Sequence, residues 1–180
     1  MRLLIIRHGD PDYAADSLTE KGWREARYLS ERLIKMGIDD FYVSPLGRAR
    51  ATASFTLDRL GQTAEVKDWL QEFPARIQEP SRPGEQKIAW DWLPEDWTAD
   101  ARYFDRNQWC ETEIMREGRV GEAYAQVTQA FDRILAGHGY VREGELYRAE
   151  RANRETLAFF CHFGLECVLL SHLMNVSPMN

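Results

Sequence analysis

Three cysteines, Cys110, Cys161 and Cys167, are all the chain has. An odd, small number cannot build a disulfide framework and points to a reducing compartment. Long apolar runs are missing too. Leu3–Ile6 is too short for the apolar core of a signal peptide, and nothing approaches the ~20 residues of a membrane span. A cytoplasmic protein with no membrane partner is expected. Positive charge is not in excess: 23 Lys and Arg stand against 29 Asp and Glu, a net charge of −6. That argues against nucleic acid as the main partner and leaves room for one local basic pocket. There is no repeat of fixed period and no low-complexity segment, which excludes solenoids and disordered chains. What is there is ordinary globular material, 44% hydrophobic and 29% charged over 180 residues, enough for one domain with a sizeable core.

Patterning places the elements. Arg2–Ile6 reads as a buried strand. Residues 19–36 carry Trp23, Ala26, Leu29, Leu33 and Met36 at helical spacing, with Thr19 as N-cap and Gly37 as stop. Residues 41–61 read as a strand running into a helix, with Ser44 as N-cap, Pro45 at the first helical position and an inner stripe of Leu46, Ala49, Ala53, Leu57 and Leu60. A third strand is expected over 64–70. Strand alternating with helix predicts an α/β fold, three layers around a central, mostly parallel sheet.

The rhythm breaks over 71–118. Four of six tryptophans and four of seven prolines fall there, so this stretch is expected to be a lid-like insertion with short helices over the carboxyl edge of the sheet, within a single domain spanning 1–180. A helix over 121–136, a hairpin over 140–150 turning at Glu143-Gly144, and a final strand and helix over 156–175 complete the prediction.

Two histidines stand in the same kind of place. His8 follows the first strand in "LLIIRHGDPDY", and His162 follows "LAFFC". The carboxyl ends of parallel strands share one edge, where open α/β folds bind ligands. Arg48, in the first turn after the second strand, reaches the same edge, and Arg7 adjoins His8. Two guanidiniums and two imidazoles near a helix N-terminus suit a tetrahedral dianion. Each residue alone has a plainer reading, a structural histidine or a surface charge, and the recurrence is what favours a site.

These segments carry a resemblance. "RHG" after the first strand, "LTEKG" opening the first helix, "SPLGRARATA", "LQE" at 70–72 and "CHFG" resemble, in that order, the histidine phosphatase superfamily in its phosphoglycerate mutase-like branch. The resemblance implies that His8 is the nucleophile and forms a phosphohistidine, that Arg7 and Arg48 bind phosphate, that His162 stabilises the transferring group, and that Glu72 is the proton donor. It implies hydrolysis of a small phosphate monoester, with a small phosphorylated metabolite as partner and neither metal nor other cofactor. Pro11 and Ala14 stand where many members have Thr and Asn, and "EFPARIQEP" replaces the usual residues after the acid. A mutase-like phosphotransferase and a non-catalytic phospho-ligand module are the alternatives. Oligomeric state stays open, a homodimer among the options.

Other constellations fall away. Six positions after Cys161 stands Cys167, not the arginine a cysteine phosphatase needs. Cys161, His162 and Cys167 lack zinc spacing and a fourth ligand. His138 and His172 receive no role. The basic residues Arg76, Arg82, Lys87, Arg102 and Arg106 read as a solvated face, and Trp90, Trp92 and Trp97 as packing.

Overall fold

A computed structural model describes all 180 residues. In chain order the elements are β1 (Arg2–Arg7), β2 (Pro11–Asp12), β3 (Ser17–Leu18), α1 (Glu20–Leu33), β4 (Asp40–Val43), α2 (Gly47–Leu60), β5 (Glu65–Val66), β6 (Ile77–Gln78) and β7 (Gln86–Lys87). There follow α3 (Pro94–Thr98), α4 (Glu113–Glu117), α5 (Val120–Gly137), β8 (Tyr140–Glu143), β9 (Leu146–Ala149), β10 (Thr156–Cys161) and α6 (Phe163–Met174). The chain divides into two compact units, Met1–Glu72 with Arg151–Glu166, and Phe73–Glu150 with Cys167–Asn180. No helix is long and apolar enough to cross a membrane.

The first unit has an α/β architecture built on a four-stranded parallel sheet in the order β1-β10-β4-β5. All six residues of β10 are buried, as expected of a parallel strand with neighbours on both sides. Phe41, Val43, Ala158 and Phe160 share one face and pack with Leu33, Ala49 and Ala53 from the two helices. On the opposite face Tyr42 stacks on Phe159 at 5.0 Å.

Three details depart from the sequence patterning. The buried stripe of α1 is Gly22, Ala26, Ser30 and Leu33, while Trp23 is 38% exposed and meets Phe55 edge-on. Small residues on this stripe let α1 lie close to α2 and to the loop after β1. β5 is two residues long instead of seven, because Lys67 N makes the last bond to Val43 O and a 3₁₀ turn over Asp68–Leu70 then buries Leu70 completely. The α2 N-cap is Leu46, without a side-chain cap, two positions after Ser44, whose Oγ accepts from Leu46 N instead of from an amide within the helix.

In the second unit the tryptophans pack as expected: Trp90 on Phe73, Trp92 on Tyr103 and Trp109 on Tyr124, with Trp97 Nε1 donating to Trp92 O. The short helices α3 and α4 and a small β6–β7 ribbon fill 73–118. Trp90 Nε1 donates to Pro178 O at 2.7 Å, and Ser177 Oγ donates to Tyr103 O, so the C-terminal segment is tied to this stretch. The hairpin β8–β9 turns on Gly144-Glu145, one residue later than predicted.

Candidate active site

Strand register assembles the site. Arg7 pairs with Cys161, so His8 and His162, the residues that follow β1 and β10, emerge side by side. Val43 pairs with Phe160, so Ser44, which follows β4, stands level with Cys161, one position before His162. Two further bonds extend the ladder, His8 N to Cys161 O and Ser44 N to Phe160 O. The His8 and His162 rings stand 5.1 Å apart, centroid to centroid.

The His8 tautomer is set by its neighbour. Nδ1 lies 2.8 Å from Gly9 O, and a carbonyl only accepts, so Nδ1 holds the proton and Nε2 holds the lone pair. Burial lowers the His8 pKa, with Arg48 and Arg7 adding to the effect against the Gly9 hydrogen bond. The loop is clamped from both helices: Gly9 N donates to Thr52 Oγ1 at 3.0 Å and Asp10 N to Glu25 Oε2 at 2.8 Å. A cavity of about 210 Å³ opens beside it, walled by Arg7–Pro11, Lys21 and Glu25.

His162 is fully buried. Its Nε2 lies 2.8 Å from Ser44 Oγ, the hydroxyl that sequence reasoning assigned to capping α2, and its Nδ1 has no partner. Burial first, then Arg48 and His8, push its pKa down to about 3. A histidine neutral when folded but protonated when unfolded destabilises the fold as pH falls below the unfolded pKa of about 6.5. Urea melts should therefore show this group removing about 2 kcal/mol between pH 6.5 and pH 5, at about 1.4 kcal/mol per pH unit. His162→Gln should make that acid limb shallower, leaving the smaller share that the lowered pKa of His8 contributes. An unchanged slope in the variant would contradict the assignment.

Arg48 brings in a residue that the sequence reading missed. Asp16 accepts from Arg48 Nη1 at 2.9 Å and from Gly47 N at 2.7 Å, so a carboxylate 31 residues upstream takes the place of a local cap on α2. Burial alone would raise the Asp16 pKa, but the Gly47 amide and the Arg48 guanidinium win and hold it low. Asp16 adopts a left-handed conformation, φ 44°, tolerated by Asp better than by most residues. Tyr13 lies under Arg48 at 5.4 Å, and Arg48 Nε is buried without a partner. The signal in sequence was faint: a polar residue in "YAADSL" opposite a helix that begins Leu-Gly.

Arg7 sits over the Phe163 ring at 5.2 Å. Glu72, carried past β5 by the 3₁₀ turn, accepts from Gly164 N at 3.0 Å, two residues from His162 in the first turn of α6. In the same turn burial raises the pKa of Glu166, opposed by Arg7. Arg7, His8, Arg48, Glu72 and His162 thus all lie in the first unit, with contacts that knit their surroundings together.

Comparison with known proteins bears on this geometry. Residues 3–180 match the family described as histidine phosphatase superfamily (branch 1). No curated protein matches in sequence. Among solved structures, the native mycobacterial glucosyl-3-phosphoglycerate phosphatase is similar with a TM-score of 0.60 and 23% identity, over 99% of this chain and 82% of that one. Phosphoserine phosphatase from Entamoeba histolytica gives 0.57 and 19%, over 98% and 81%. Alpha-ribazole phosphatase from Shigella flexneri gives 0.57 and 19%, over 99% and 82%. The family match over almost the whole chain and the shared α/β fold lead to one conclusion: the chain belongs to the histidine phosphatase superfamily.

Proposed function

We propose that the protein hydrolyses a small phosphate monoester through a phosphohistidine on His8, with a small phosphorylated metabolite as substrate. The observation that carries this reading is the His8 tautomer: Nδ1–H is held by Gly9 O, which leaves Nε2 as the nucleophile. In the first step Nε2 attacks phosphorus, the ester P–O bond breaks, and protonated Glu72 gives its proton to the leaving oxygen. In the second step the Glu72 carboxylate takes a proton from water. The water oxygen attacks phosphorus, the P–N bond breaks, and phosphate leaves.

Arg7 and Arg48 supply fixed positive charge to the phosphoryl oxygens, the role on which this transfer most depends. His162 fits as a neutral donor. Ser44 Oγ accepts from Leu46 N and can place its own proton on His162 Nε2, so that Nδ1–H is the orphaned group. A buried donor without a partner is satisfied by a phosphoryl oxygen. The solved relatives named for phosphoserine, glucosyl-3-phosphoglycerate and alpha-ribazole support a phosphatase with a small substrate.

Glu72→Gln tests the proton path. Turnover of an alkyl phosphate should fall about 10²- to 10³-fold, the usual size of such a contribution. With p-nitrophenyl phosphate, whose leaving group needs no proton, the variant should release a burst of one nitrophenol per enzyme and then stall before hydrolysis. Equal losses on both substrates with no burst would remove Glu72 from proton transfer. Phosphate recovered on an added alcohol instead of in water would make the protein a phosphotransferase.

A further inference from the structure

A cavity of about 300 Å³ lies wholly within the second unit and shares no residue with the His8 site. Arg106, Asn107, Trp109, Tyr124, Arg142 and His172 form much of its wall, and no lining side chain is acidic, although the protein as a whole carries a net charge of −6.

The hydrogen bonds fix what this wall offers. Ser171 Oγ donates to Val168 O at 2.9 Å, so across its 3.2 Å contact with Tyr124 the tyrosine is the donor and the phenol oxygen keeps lone pairs for accepting. Tyr147 donates to Asp132 Oδ1, and His172 Nε2 faces both Asp132 oxygens at 2.9 and 3.1 Å. Burial opposes ionisation of Asp132, but His172 and Tyr147 hold its pKa low. Against that carboxylate, Nε2 carries a proton, and in the neutral ring Nδ1 is the acceptor. Arg142 is a strut: Nε, Nη1 and Nη2 bind Gly144 O, His172 O and Asn175 Oδ1, with the guanidinium over Tyr147 at 4.8 Å.

Arg106 differs. Its partner is the hairpin-tip residue Glu145 at 2.7 Å, and these side chains are 37% and 63% exposed. A pair this exposed contributes at most about 1 kcal/mol, so another carboxylate can displace Glu145 without disturbing the fold. Gly144 beside it carries no side chain to block approach.

We propose that this cavity is a binding site for a small hydroxylated carboxylate. Its acid group replaces Glu145 on Arg106, and its hydroxyls bridge the Tyr124 oxygen, His172 Nδ1 and the Asn107 amide. The volume equals about ten waters, enough for an acid of that size. Arg106 already holds one carboxylate, that of Glu145, at 2.7 Å, and the acceptors beside it suit the hydroxyls of a ligand.

The test follows the indole N–H resonance of Trp109, identified by its loss in Trp109→Phe, during titration with gluconate, sorbitol and inorganic phosphate. Gluconate should shift it saturably; sorbitol, lacking the acid, and phosphate, lacking the chain, should leave it in place. Arg106→Ala should weaken gluconate at least tenfold. Glu145→Gln, an exposed change that removes the competing carboxylate, should tighten it about threefold. The proposal is overturned by no shift with gluconate, by an equal shift with sorbitol or phosphate, by unchanged affinity in Arg106→Ala, or by equal or weaker affinity in Glu145→Gln.

Discussion

Replacing His8 with alanine should lower phosphomonoester turnover by at least about 10⁴-fold, or about 5.5 kcal/mol of transition-state stabilisation, while the protein stays folded. The nucleophile has no substitute within reach. His162 stands 5.1 Å away, centroid to centroid, but its Nε2 is engaged with Ser44 Oγ and its ring is fully buried. The structural cost is small, because His8 makes one side-chain bond, to Gly9 O, worth about 1 kcal/mol. Rapid quench with labelled substrate should trap an acid-labile phosphoenzyme in wild type and none in His8→Ala. Turnover by the variant within tenfold of wild type would end the assignment of His8 as nucleophile.

The second large effect is expected at a residue that touches no substrate. A β-carbon at Gly47 would stand 2.0 Å from the backbone oxygen of Asp16, far inside the contact distance of non-bonded heavy atoms, and that oxygen is not the end of a flexible side chain. Gly47→Ala must push the 10–16 loop off the start of α2. The bond from Gly47 N to Asp16 and the ion pair from Asp16 to Arg48 then go together. Chemical denaturation should show a loss of about 2–3 kcal/mol, the upper range for overpacking. The parameter kcat/KM should fall about 100-fold, as expected for displacement of aligned groups by about 1 Å. Asp16→Asn separates the parts: it keeps the shape and an acceptor for Gly47 N but drops the charge facing Arg48, so stability should suffer less than in Gly47→Ala. Wild-type stability and kcat/KM in Gly47→Ala would show that the loop does not need this close approach.

Gly22 makes the same point on the other helix, where a β-carbon would lie 2.2 Å from Asp10 O. The glycines of "LTEKG" and "SPLGRARATA" are therefore steric requirements of one loop pressed against two helices. This also explains why the expected stripe of α1 was displaced. Hydrophobicity ranks Trp23 far above Gly22, yet the loop needs a residue without a side chain, and Trp23, one position round the helix, is left at the surface.

The alternation of strands and helices was legible because parallel strands buried on both sides read as unbroken apolar runs, as "TLAFFC" does, and because helices show their own period. The pair of histidines was legible for a related reason: each directly follows such a run, and the strand end determines where the next residue emerges. Local signals misled where a distant residue did the local job. Ser44 looked like a cap and serves His162, while Asp16 supports the helix in its place.

Chain order and residue type alone thus determined the α/β class, the strand ends that carry His8 and His162, and the arginines expected beside them. Tertiary structure alone decided the pairing of Asp16 with Arg48, the Gly9 carbonyl that selects the His8 tautomer, and the grouping of Arg106, Tyr124 and His172 around one cavity. The physical reason is range. Periodicity and strand ends are properties of neighbouring residues, whereas a hydrogen bond or a steric limit between residues tens of positions apart exists only once the chain has closed on itself.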